Sequence, residues 1–132
     1  MIRALVNSSK YRIFLSALAG FVAYGSWGYL VNMSHGWHQG LESGLTQGSY
    51  SFTVTLFYSG LIEWLYAKTR KKVLTIVTCS LSVISTSYAV HTLVGTPEIL
   101  PTIAPGAVIG SVYVYGYVLG LAKIAGKTEK AK

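Results

Sequence analysis

The chain has 132 residues, is 52% hydrophobic and only 11% charged, and carries a formal net charge of +7. Each helix that crosses a bilayer consumes about 20 residues, so this length holds one membrane domain, residues 1–132, and excludes a separate soluble catalytic or ligand-binding domain. The charge is not a nucleic-acid footprint in so apolar a chain; its Lys and Arg are juxtamembrane anchors, the lipid bilayer is the first partner, and no nucleic acid is expected.

The first apolar stretch, roughly 13–33, follows a basic start and contains the small-residue triplet Ala17-Leu18-Ala19. That arrangement resembles a secretory cleavage site. The apolar run before the triplet is too short for a signal core and hydrophobicity continues past it, so an uncleaved first span is expected. Span 2 is placed at roughly 44–66, span 3 at 73–94 and span 4 at 99–122. Short connections then require an all-α, up-down-up-down bundle of four transmembrane helices.

Charge orients the bundle. All Lys and Arg fall in three blocks: Arg3, Lys10 and Arg12; Lys68, Arg70, Lys71 and Lys72; Lys123, Lys127, Lys130 and Lys132. The other two connections carry none. Basic residues beside membrane segments stay on the cytoplasmic side, so both termini are expected in the cytoplasm, with the bacterial inner membrane as the location.

Several features of the spans bear on function. Gly36, Gly40, Gly44 and Gly48 recur every four residues into span 2, which moves its start earlier than hydropathy indicates. Gly106 and Gly110 repeat the spacing in span 4, so these six glycines are helix-packing candidates, pairing span 2 with span 4 or forming a homodimer seam. Gln47, Ser51, Thr55, Ser59 and Glu63 form a second stripe along span 2. Polar side chains in a membrane helix face a neighbouring helix or a wet cavity, so this stripe, with Ser82 from the hydroxyl-rich span 3, is a candidate polar pathway. Glu63 is the only carboxylate inside a span, within about one turn of the inner interface, where it either anchors or exchanges a proton. His35, His38 and His91 gather near the opposite interface and are the candidate metal ligands, but zinc-type spacing is absent and histidines satisfied by water or bundle hydroxyls are the expectation, so no metal or other cofactor is implied. Pro105 either kinks span 4 or marks a late helix start.

No nucleophile–base arrangement or phosphate-binding loop occurs, and enzymatic activity is not expected. Two readings follow. One is a transporter or flippase-like protein for a small amphipathic or lipid-linked substrate; the other is a non-catalytic accessory or assembly subunit of a larger membrane complex. Both call for self-association or a membrane partner.

Overall fold

The computed structural model describes residues 9–131, and every regular element in that range is helical. Helix α1 spans Ser9–Asn32, α2 Trp37–Thr69, α3 Lys72–Val94 and α4 Ile99–Lys130, with a single 3-10 turn at Met33–His35. Arg3 and Lys132, counted in the basic blocks, lie outside the described residues. α1, α3 and α4 are long and apolar enough to cross a membrane. α2 is longer than any of them but too rich in Gly, Ser, Thr and Gln to meet the same standard of hydropathy.

Two helix boundaries differ most from the hydropathy estimate, for one reason. Hydropathy reads the bilayer-facing segment, whereas helices continue into water wherever no breaker stops them. α2 begins at Trp37, and α4 runs on through Lys123 and Lys127 to Lys130. Each connection is a tight turn. Gly36 takes φ +116° ahead of α2, Arg70 closes α2 in the left-handed region at φ 55°, and Gly95 closes α3 at φ 83°. Gly95 forms a Schellman end in which the Thr96 N–H bonds the His91 carbonyl at 3.0 Å.

The helices therefore alternate in direction, and Lys10 with Arg12, the Lys68–Lys72 turn, and Lys123, Lys127 and Lys130 share one end of the bundle. α2 touches all three other helices, whereas α1 and α3 lie diagonally and do not meet among the described residues. The outward faces are apolar, with Val22 and Leu30 of α1, Leu45 and Phe57 of α2, Leu74 and Leu81 of α3, and Val108 and Val112 of α4 all exposed. Four such faces on so small a bundle suit lipid as solvent, not water.

The interior divides along its length. Near the basic end, Ile62, Cys79, Val114 and Val118 form a buried apolar cluster joining α2, α3 and α4. Toward the opposite end the buried side chains are mostly polar: Asn32, Gln47, Ser87, His91, Thr96 and Thr102, with Ile103 among them. Alongside this polar end α1 and α2 pack backbone to backbone. A Cβ at Gly44 would lie 2.7 Å from the Gly25 carbonyl oxygen, and one at Gly48 would lie 2.9 Å from that of Phe21. Gly40 likewise abuts Tyr29 and Met33 of α1 and its 3-10 continuation. Spacing pairs span 2 with span 4 or with a second copy of the chain; the structure sets Gly40, Gly44 and Gly48 against α1. The close approach needs small residues on both partners, and α1 supplies Gly20, Gly25 and Gly28. Gly36 takes no part, since nothing lies within 4 Å of its Cβ position and its positive φ makes it a turn residue.

Candidate functional site

A cavity of about 730 Å³ lies between all four helices. From α2 it is lined by Gln47, Ser51, Thr55 and Ser59, so four members of the predicted polar stripe share one wall. The stripe from Gln47 to Ser59 extends about 18 Å along the helix axis, roughly half a bilayer. Apolar groups complete the walls: Val54 of α2, Val83 and Ile84 of α3, and Ile103, Ile109 and Val114 of α4. Among the described residues, Arg12 is the only charged one that lines it.

One end is closed and the other open. Gln47, Ser51, Ser87 and Ile103 are buried, whereas Arg12, Ser16, Ile13, Ile109 and Tyr113 are exposed. The exposed lining residues belong to α1 and α4, so the cavity opens sideways between these two helices at the basic end. Among the described residues, the hydrogen bonds that join α1 to α4 all lie at the opposite end.

That closure is built from backbone chemistry. Pro105 has no N–H, so it leaves the carbonyl of Pro101, four residues earlier, without its helical donor. The Trp27 indole Nε1–H donates to that carbonyl at 2.9 Å. Beside it, the fully buried Asn32 amide donates to Gly28 O at 2.8 Å and Thr102 Oγ1 at 2.7 Å, while its Oδ1 accepts the Glu98 N–H at 2.9 Å. One asparagine thus ends α1 and starts α4 together. Trp27→Phe is expected to cost about 1 kcal/mol in a detergent-unfolding titration. In a Pro105→Ala background, where the helix supplies its own donor, that cost should largely disappear.

The closed end is backed by a second polar chain. The fully buried His91 meets Gln47 Oε1 through Nε2 at 2.7 Å and Thr96 Oγ1 through Nδ1 at 2.7 Å. With the Gln47 carbonyl facing the ring, His91 carries its proton on Nε2 and accepts from the Thr96 hydroxyl on Nδ1. The Schellman end at Gly95 is what returns Thr96 to within reach of a ring one turn back.

The remaining predicted site residues lie elsewhere. Ser82 does not line the cavity; it bonds the Tyr58 hydroxyl, which also donates to the Cys79 carbonyl. Tyr50, about two turns earlier in α2, does the same one turn further along α3, donating to Val83 O at 2.7 Å and pairing with Thr86 Oγ1 at 2.7 Å. These two tyrosines tie α2 to α3 and flank the cavity. Glu63 is exposed, sits outside the cavity lining, and accepts a hydrogen bond from the Tyr117 hydroxyl. His35 pairs with Glu98 Oε1 at 2.9 Å, and His38 packs against Trp37. No group of three or more His, Cys, Asp or Glu side chains converges among the described residues. Gly106 borders the cavity opposite Gln47, and Gly110 opposite Val83.

Ser87 and Tyr50 were not singled out by sequence spacing. Ser87 lies in a helix with hydroxyls on every face, so periodicity cannot select it. No protein-family model matches the chain, and no curated protein or solved structure matches it.

Proposed function

We propose that this is a four-pass protein of the bacterial inner membrane that binds an amphipathic, lipid-like molecule in the α1–α4 cavity and moves it between leaflet and interior. The observation that carries the reading is the sideways opening. A soluble ligand needs a mouth facing water, whereas this one lies between two lipid-facing helices, with apolar walls behind it and Arg12 at its rim. The volume suits the size range of small-ligand sites. An acyl or prenyl chain would lie along Val54, Ile84 and Ile109, and the guanidinium of Arg12 is placed to meet a headgroup phosphate at the interface.

The fourth crossing is α2. Its low hydropathy comes from side chains that face α1 or the cavity, while Leu41, Leu45, Phe57 and Leu61 face outward. A helix shielded in this way can cross without being apolar all round.

Native mass spectrometry of the gently extracted protein tests the reading. The wild type should retain a lipid-like molecule near one per chain, and Gly110→Phe, which projects a ring into the cavity, should lose it while remaining folded. Retention by Gly110→Phe equal to the wild type would count against cavity binding. The accessory-subunit reading draws support from α4, where nothing lies within 4 Å of the Cβ positions of Gly116 and Gly120 on a lipid-facing helix. A stoichiometric foreign chain in the same spectrum would favour it.

A further inference from the structure

The closed end of the cavity holds a set of hydrogen-bonding groups that the protein itself does not use. Gln47 is 2% exposed, and its carbonyl is committed to His91. Its amide nitrogen points the other way, 3.4 Å from where a Cβ on Gly106 would sit, and has no protein partner among the described residues. The hydroxyls of Ser51 and Ser87, 9% and 5% exposed, line the same end and are likewise unpartnered there. The amide nitrogen is open to the cavity, not sealed inside the protein, so a donor fixed in this orientation by a histidine behind it is a recognition element. The glycine at 106 keeps the space before it clear.

Charge chooses among ligands. Among the described residues no acidic or basic side chain lines this end, and Arg12, the single charged lining residue among them, lies at the open end near the tip of α1. An ionic headgroup placed at the closed end would be desolvated without a counter-charge. A neutral polyhydroxyl group fits: its oxygens accept from the Gln47 amide, and its hydroxyls exchange donors and acceptors with Ser51 and Ser87. We infer that the closed end recognises an uncharged, hydroxyl-rich head, of the glycosyl class, carried on an apolar chain that occupies the rest of the cavity. The inference rests on the cavity being a lipid-ligand site and adds the chemistry of the head.

The test uses the full chain in nanodiscs with two photoreactive probes, dodecyl glucoside and dodecanol, each bearing a diazirine on the carbon chain next to the head. Labelled residues are mapped by peptide mass spectrometry. The glucoside should label the closed end, around Ile84 and Ile103, and dodecanol should not concentrate there. Gln47→Leu should reduce the closed-end glucoside label roughly tenfold, the loss expected for one or two hydrogen bonds. Gly106→Ala should do the same by placing a methyl before the amide while leaving the His91–Gln47 bond intact, so a folding defect in Gln47→Leu does not decide the result. Cavity labelling that is equal for both probes and indifferent to both variants would overturn head recognition and leave the lipid-site reading standing. Glucoside label confined to the Arg12 rim would overturn it too. Absence of cavity label from either probe would overturn both.

Discussion

Gly44→Leu should prevent the bundle from assembling, and Gly44→Ala should already destabilise it by about 1–3 kcal/mol, the usual cost of overpacking a tight contact. The reason is the partner atom. A methyl at Gly44 meets the Gly25 carbonyl oxygen at 2.7 Å, and backbone cannot rotate aside as a flexible side chain would. α1 would have to move away from α2 along the stretch that includes Gly28 and Gly48, undoing contacts with Ser43 and Phe21 as it did so. Ala favours helix over Gly by about 1 kcal/mol, so the measured loss is the strain less that gain. Gly60→Ala is the matched control, because nothing lies within 4 Å of its Cβ position. Reversible unfolding of the purified protein, followed by circular dichroism as denaturing detergent is added, should separate the two alanine variants clearly. Equal stability would mean that α1 and α2 are not in backbone contact.

His91→Phe should be the most damaging change outside the glycines, at about 2–4 kcal/mol in the same titration. Phenylalanine fills much of the same space, so lost packing is a minor part. What remains is the Gln47 carbonyl and the Thr96 hydroxyl, both buried and both without their partner. Hydrogen bonds between membrane helices average only about 0.6 kcal/mol in pairwise measurements; the larger figure arises because both ends of the chain are orphaned together. His91→Gln should recover part of the loss by restoring one of the two bonds. A loss below about 0.5 kcal/mol for His91→Phe would show that water or a rearranged Gln47 replaces the ring without penalty.

These expectations also show how much of the protein could be read beforehand. The helices were legible because apolar runs of bilayer length have few alternatives, and the glycine ladder correctly moved the start of α2 back into the connection. The ladder's partner was not legible. Spacing selects a face of a helix but not which neighbour meets it, and Gly20, Gly25 and Gly28 of α1 do not repeat at a single interval as Gly40, Gly44 and Gly48 do.

The cavity divides in the same way. Gln47, Ser51, Thr55 and Ser59 were visible as a stripe, and the structure sets them on one wall. Glu63 continues the stripe in sequence yet leaves the wall, because a four-residue repeat drifts around a helix of 3.6 residues per turn and the fifth member has rotated toward Tyr117. The bond between Trp27 and Pro101 has a signal that can be sought in other chains: a proline inside a helix frees the carbonyl four residues earlier, and a nearby indole is a fitting donor. The chain through Gln47, His91 and Thr96 joins α2 to the end of α3 across 44 residues of sequence, and no local pattern encodes the Gln47–His91 contact.

The central claim is that the bundle crosses the membrane four times with its basic end in the cytoplasm, which puts the cavity mouth in the inner leaflet. Cys79 is buried at 1% exposure, so single cysteines can be added without removing it. Ser34→Cys and Pro97→Cys, both at the exposed end opposite the basic cluster, should react with a membrane-impermeant maleimide in intact cells. Lys71→Cys and Lys127→Cys, at the basic end, should react only after the membrane is permeabilised. Labelling of Ser34→Cys and Lys71→Cys from the same side would mean that α2 does not cross, and would contradict the account.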